Sequence, residues 1–274
     1  EYDLPAYCRN RARSFQEAAR EVRYRFLEEV RAQCGAAKIA LGHNADDQAE
    51  TVMLWLLRGA GLRGLGGMPP VRNGIIVRPL IETTRQEIET YLRTKGIAFV
   101  TDSSNLKDAY ARNRLRHEIF PLLKKHFNPR LVKCLVSTAS IVSMENEYLD
   151  GIAHKKLKHI VASQNEASAV IDCAGFSVLP PVLQRRCLRI ILAGFKGDLL
   201  GIGAEHLYAL TAVMTGDEPH KTLKLPGKVR AERSYRFLTL TTRPAALPPA
   251  FSYQFSSLPA QADIPEIARR IHFT

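Results

Sequence analysis

Apolar residues recur at helical spacing from the start of the legible pattern. Phe15, Ala18, Ala19, Val22, Phe26, Leu27 and Val30 follow the capping box Ser14-Phe15-Gln16-Glu17 and run toward a stop at Gly35, which predicts a helix. A short apolar strand, Lys38 to Leu41, comes next and ends at Gly42. From there to Arg58, acidic polar positions are interleaved with a stripe of Ala49, Val52, Met53, Leu56 and Leu57, predicting a helix that begins near Ala45 and stops at Gly59. A strand over 74–78, a helix opened by Thr84-Arg85-Gln86-Glu87 and closed by Gly96, and a strand over Ile97–Val100 continue the alternation. Strand and helix in turn imply the α/β class, a parallel sheet with crossover helices.

The pattern changes after Arg112-Asn113-Arg114-Leu115-Arg116-His117. An amphipathic helix carries Ile119, Leu122 and Leu123, and beyond Pro129 come Leu131, Cys134 and Leu135; to about residue 200 the periodicity is purely helical. Helical spacing around Leu207, Leu210 and Val213 then gives way to a small hairpin, Lys221–Gly227 with Tyr235–Leu240, and Pro244, Pro248 and Pro249 mark a linker. The expected organisation is an α/β domain over 1–118, a mainly helical second domain with a small hairpin over 119–243, and a linker or the start of a C-terminal domain over 244–274.

Composition narrows the function. The chain has 274 residues, 46% hydrophobic and 24% charged, enough for one large or two modest domains. No run reaches the roughly 20 apolar residues of a membrane span, and no secretory pattern opens the chain, so no membrane partner and a cytoplasmic location are expected. Cys8, Cys34, Cys134, Cys173 and Cys187 are far apart with no C-x-x-C pair, against both a disulfide framework and a zinc knuckle. The net charge of +12 favours a polyanionic partner, nucleic acid first among them. The first residue is Glu1 and the first element a helix, so the chain reads as a fragment whose first strands lie elsewhere.

The densest chemistry is Leu41-Gly42-His43-Asn44-Ala45-Asp46-Asp47-Gln48-Ala49-Glu50-Thr51, an imidazole and three carboxylates where a strand turns into a helix. Ligands of open α/β sheets bind beyond the carboxyl ends of the strands. Asp47 and Glu50 are three apart, Asp46 and Glu50 four apart, so a helix from Ala45 presents them on one side. Part of that acid complements a positive helix end, but capping needs one or two carboxylates; the set also suits a divalent cation or a substrate ammonium. The glycine-rich Gly59–Gly67 reads as an active-site loop or a phosphate-cradling turn without a Walker pattern, and Thr101–Asn105 as a polar loop on the ligand side. Lys124, Lys125, Arg130 and Lys133, then Lys155, Lys156 and Lys158, then Arg185, Arg186 and Arg189 give successive helices basic faces suited to phosphate contacts. Arg20, Arg23 and Tyr24 on the first helix read, by themselves, as ordinary solvated positions.

These blocks resemble a known family. G-H-N-A-D-D-Q-A-E-T, then L-L-R-G-A-G-L-R-G-L-G-G-M-P, R-P-L, and D-S-S-N with R-N-R-L-R look like tRNA(Ile)-lysidine synthetase, and S-F-Q-E-A-A-R-E-V-R-Y at 14–24 is similar to the helix preceding them there. L-K-L-P-G and E-R-S-Y-R-F continue the match more weakly. The resemblance implies an N-type ATP pyrophosphatase fold, Rossmann-like and of the adenine nucleotide α-hydrolase type, and a helical domain that embraces tRNA. It implies ATP and Mg²⁺, free lysine, and tRNA(Ile) with a CAU anticodon: ATP adenylates the 2-carbonyl oxygen of the wobble cytidine, and the lysine ε-amine displaces AMP. The modified base pairs with A instead of G. In that reading Arg23 offsets charge at the α-phosphate, Asp47 and Glu50 hold the ammonium and take its proton, and His43 and Asp46 shape the site. Asp47 is the candidate Mg²⁺ ligand, and Arg112, Arg114, Arg116, Lys124 and Lys125 steady tRNA or nucleotide phosphates. The family's S-G-G-x-D-S loop is absent from these residues, so the 274-residue chain alone is expected to release no AMP from ATP. A homodimer stays open, since no heptad or apolar patch decides it. The rival readings are a non-catalytic tRNA-binding fragment, a related tRNA thiolase, for which Cys34 and Cys134 lack partners, and a metal-dependent phosphohydrolase on His43 and Asp46-Asp47, which would need further histidines.

Overall fold

The first predicted helix forms as α1, Phe15–Gln33, ahead of Gly35, whose left-handed φ of +62° stops it. It opens a computed structural model that describes residues 15–100, 111–196, 199, 201–242, 252–253, 261–264 and 269–272. Ser14, Cys8, the loop 101–105 and Pro244, Pro248 and Pro249 lie outside the described residues. The chain divides into two compact units after Tyr148.

In the first unit β1 (Ile39–Ala40) leads into α2 (Ala45–Leu57) and the short α3 (Leu62–Leu65). Then β2 (Val71–Arg72) and β3 (Ile76–Val77) form a hairpin, and α4 (Arg85–Thr94) follows. The sheet order is β1-β3-β2, with β1 parallel to β3 and β2 antiparallel to it. The sheet described is therefore mixed where a parallel one was expected. The reason is local: Asn73 and Gly74 both take positive φ, +53° and +67°, in the turn from Arg72 to Ile75, the backbone that hairpin turns require.

The expected strand over Ile97–Val100 does not form. No described strand edge pairs with it, Val100 is 94% exposed, and Phe99 instead lies under the Arg85 guanidinium, 5.8 Å from its ring centre. Strand propensity without a partner edge carries little weight.

After residue 110 the chain runs through α5 (Ala111–Arg114), a π-helical turn (Leu115–Ile119) and α6 (Phe120–His126) into α7 (Leu131–Ile160). Phe120 and Val132 are buried with Ala45 and Ala49, so the residues just past 119 complete the core of the first unit.

The second unit corrects the expectation of a mainly helical domain with a small hairpin. Following the end of α7 come β4 (Val161–Gln164), β5 (Ser168–Asp172), α8 (Cys173–Ser177), α9 (Pro181–Lys196), α10 (Ala204–Thr215), β6 (His220–Leu225), β7 (Val229–Ser234) and β8 (Phe237–Thr241). The strands form one antiparallel sheet in the order β4-β5-β8-β7-β6. Its inner face carries Ala169, Ile171, Val229, Ala231, Leu238 and Leu240, packed with Phe176, Leu188, Ile191, Leu192, Leu210 and Met214 of the helices. Helical periodicity to residue 200 fails at Asn165, whose side chain accepts hydrogen bonds from the backbone of Ala167 and Ser168 and turns β4 back on β5. Near the chain's end β9 (Gln261–Ile264) and β10 (Arg269–His272) pair as an antiparallel hairpin. Among the described residues no helix is long and apolar enough to cross a membrane.

Candidate active site

The helix α2 starts where the sequence predicts because Asn44 and Asp47 cap it reciprocally. The Asn44 side chain accepts from the Asp47 N–H at 3.0 Å, and Asp47 Oδ2 accepts from the Asn44 N–H at 3.1 Å. Part of the acidic cluster therefore does serve capping. Asp46 does so too, for another helix: its Oδ2 accepts from the Arg85 N–H, the first residue of α4, at 2.7 Å. Glu50 caps nothing.

Glu50 is 1% exposed and held by arginines. Arg116 donates to it through Nε at 2.7 Å and through a terminal nitrogen at 3.0 Å, and the same nitrogen reaches Asp47 Oδ1 at 3.4 Å. One guanidinium thus spans the two carboxylates that stand three apart on α2. Arg112 Nε lies 3.3 Å from Glu50 Oε2, near enough for charge pairing but without hydrogen-bond alignment, while its terminal nitrogen donates to Thr51 Oγ1 at 2.8 Å. Burial pushes the Glu50 carboxyl above its usual range, against the lowering pull of Arg116.

These groups line a cavity of about 680 Å³. Among the described lining residues the carboxylates are Asp46, Asp47, Glu50 and Glu89 and the cations are Arg85, Arg112, Arg116 and Lys124, four of each. Lys124 lies 3.8 Å from Asp46, and Arg85 pairs with Glu89 at 2.7 Å. The acidic cluster expected from α2 alone is thus matched in charge by residues more than 30 positions away, which spacing along α2 could not reveal.

A second cavity of about 730 Å³ is lined by Arg20, Arg58, Arg63, Arg72, Arg78 and Arg112, with Glu147 as its one carboxylate among the described lining residues. His43 faces it, half-buried, with Nδ1 buried and unpartnered, and burial holds its pKa below the usual value. Arg78 is 3% exposed; it donates to the Pro69 carbonyl at 2.6 Å, and its Nε has no partner. Arg58 stacks on Trp55 at 5.7 Å, and Arg20 and Arg72 lie 5.5 and 5.7 Å from the Tyr24 ring centre. The glycine-rich segment forms one wall and is pinned: the Gln48 amide accepts from the Met68 N–H at 2.8 Å and donates to its carbonyl at 3.1 Å. At Gly67, with φ +66°, a Cβ would fall 2.7 Å from that amide, so any other residue strains the backbone and displaces the Gln48 clamp.

The site residues named from sequence fall into different places. Asp46, Asp47, Glu50, Arg112, Arg116 and Lys124 share the first cavity. Arg23 does not: it lines a separate pocket of about 210 Å³ with Tyr24, Leu41, Gly42 and His43. Arg114 and Lys125 are exposed and line neither large cavity. Arg112 and Arg116, expected on phosphates, sit on Glu50. In the third basic face Arg186 pairs with Asp150 at 2.5 Å and Arg185 donates to the Tyr208 hydroxyl at 3.0 Å. Sequence reasoning missed the arginine cavity: Arg58, Arg63, Arg72 and Arg78 stand in and around the glycine-rich block, but their convergence with Arg20 and Arg112 is tertiary.

Mg²⁺ does not fit the described residues. Asp47 spends one oxygen on its own helix cap and turns the other to Arg116, and no three His, Cys, Asp or Glu side chains among the described residues are grouped to hold a metal. Cys187 is buried and its thiol is pushed up to about 11, far from a nucleophilic thiolate.

Comparison with known proteins places these units. A PP-loop domain matches residues 4–123 and a TilS substrate binding domain matches 171–239, which makes this a PP-loop protein with a substrate-binding domain after it. The chain is 38% identical over 236 residues to the tRNA(Ile)-lysidine synthase of Geobacter sulfurreducens, covering 86% of this chain and 50% of that protein. It is 30% identical over 239 residues to that of Clostridioides difficile (87% and 52%) and 34% over 237 residues to that of Geobacillus kaustophilus (85% and 51%). Over 85–87% of its own length the chain is thus similar to tRNA(Ile)-lysidine synthases, and it spans about half the length of the curated relatives it matches.

Proposed function

We propose that the chain contributes the lysine and nucleotide chemistry and the RNA grip of an ATP-dependent ligase that joins free lysine to the wobble cytidine of tRNA(Ile) with a CAU anticodon. The relatives' name and the domain pair support the reaction class. The observation that carries the reading is the pairing of Asp47 and Glu50 under one guanidinium at the wall of a cavity.

In this reading the α-phosphorus of ATP bonds to the cytidine 2-oxygen and pyrophosphate leaves. The lysine ε-nitrogen then bonds to C2, and AMP departs with that oxygen. The ammonium must lose a proton to attack, and in this proposal Glu50, whose burial raises its proton affinity, accepts it. Asp47 holds the ammonium beside it. Arg112 offsets charge on the phosphates once drawn from Glu50, and the exposed Lys155, Lys156 and Lys158 of α7 meet RNA phosphates. Arg23 serves beside Gly42 and His43. We assign the first unit to chemistry and the second to RNA. No step is routed through Mg²⁺.

Equilibrium binding checks the ammonium assignment. L-lysine should bind the chain, and norleucine, which has the same stem without the charge, should bind at least about tenfold more weakly, the loss of one charged contact. Equal affinity for the two would overturn the assignment.

A further inference from the structure

Among the described residues Arg112 is the one arginine that lines both large cavities. Its hold on the carboxylate side is partial: Nε faces Glu50 at 3.3 Å without alignment and is buried with no hydrogen-bond partner, and a single bond to Thr51 Oγ1 fixes the fork. Arg116, by contrast, holds Glu50 through two aligned bonds. Of the two cations on this carboxylate, Arg112 is the one that can leave.

The charge balance makes leaving matter. Among its described lining residues the carboxylate cavity has as many cations as carboxylates, so an incoming ammonium adds a positive charge that these residues do not match unless a resident cation withdraws. Beside a carboxylate 1% exposed that excess is poorly screened. On the other side, five further arginines repel a sixth as long as the space between them is empty of anions. An anion there reverses the sign: it attracts Arg112 and releases Glu50.

We propose that the arginine cavity binds a phosphate-bearing ligand with a planar base, and that Arg112 couples its occupancy to ammonium binding in the carboxylate cavity. The proposal rests on the ammonium reading given above. The phosphate meets the buried, unpartnered Arg78 Nε and His43 Nδ1 wall, and the base meets Trp55, which is 42% exposed beside Arg58. A nucleoside triphosphate and an RNA strand share this chemistry. Coupling of this kind is reciprocal: each ligand tightens the other by the same factor.

The test is calorimetric titration of L-lysine into the whole chain, alone and with saturating pyrophosphate, a non-hydrolysable ATP analogue, or a CAU-anticodon RNA hairpin. Lysine affinity should rise by roughly 5- to 150-fold with the anion that fills the cavity, the range typical of linked sites, and lysine should tighten that anion equally. Which of the three anions does so identifies the source. In Arg112→Gln the factor should fall to about one, whereas in Arg63→Gln, which lines the arginine cavity alone, the anion should weaken and the factor at saturation should persist. Should Arg112→Gln not fold, Arg112→Lys, which keeps the charge and loses the fork, should still lower the factor below wild type. A factor of about one in the wild type, or the wild-type factor in both Arg112 variants, overturns the coupling. Lysine that binds without coupling defeats this inference alone; no lysine binding in any arm defeats the ammonium reading with it.

Discussion

Replacing Arg116 with methionine will cost the first unit about 3 kcal/mol at neutral pH, the low end of the range for stranding one partner of a buried ion pair. The low end applies because Arg116 is one-third exposed and Arg112 remains 3.3 Å from the stranded carboxylate. The loss has a pH signature with a definite sign. Burial already raises the Glu50 carboxyl pKa in the folded protein, so its contribution to stability is fully present below the unfolded pKa and is lost as pH rises through the folded one. Arg116 is the main influence opposing that rise. Without it the folded pKa climbs further, and the variant is weakest at neutral pH and above but recovers as acid protonates Glu50. Urea unfolding at about pH 8 and about pH 5 reads the difference: the gap from wild type should narrow in acid. A gap of equal size at both values would mean that Arg116 acts through packing and not through Glu50. Combining Arg116→Met with Glu50→Gln should restore part of the loss, because it leaves no buried charge unpaired.

Phe176→Ala will cost the second unit about 3–5 kcal/mol, the usual loss for emptying a fully buried aromatic site. Phe176 is 0% exposed on α8 and belongs to the cluster that joins the β5–β8 face to α9 and α10. The cavity it leaves is walled by residues of several elements, which limits collapse into it. The expected readout is a fall in the thermal midpoint of the second unit together with a loss of RNA affinity, while lysine affinity, assigned to the first unit, persists. A melting curve that does not move would contradict the description of this core.

Helices were legible wherever caps and apolar stripes agreed. Thr84 and Glu87 cap α4 reciprocally as the four-residue signal requires, and α1, α2 and α10 follow their stripes. Short strands were less so. Asn73-Gly74 carried the hairpin signal for β2, and the alternation of buried Val229 and Ala231 with Arg230 and Glu232 carried that for β7; both are brief and sit inside basic stretches that read as surface. Ile97–Val100 misled in the opposite direction, since β-branched composition cannot say whether a partner edge exists. In the site, the spacing of Asp47 and Glu50 does put both on Arg116, but their neutralisation by residues 112–124 depends on tertiary packing. The arginine cavity was illegible for the same reason: it gathers side chains from Arg20 to Arg112 that sequence shows only as scattered positive charge.

The central claim is that Asp47 and Glu50 receive an ammonium while RNA is held elsewhere. It is tested most directly by measuring L-lysine and tRNA affinities of Asp47→Asn/Glu50→Gln in parallel with wild type. The account predicts lysine binding weakened by about a hundredfold, on the order of two charged contacts, with the RNA affinity and its salt slope unchanged. Lysine bound as tightly by the double variant as by wild type would contradict it.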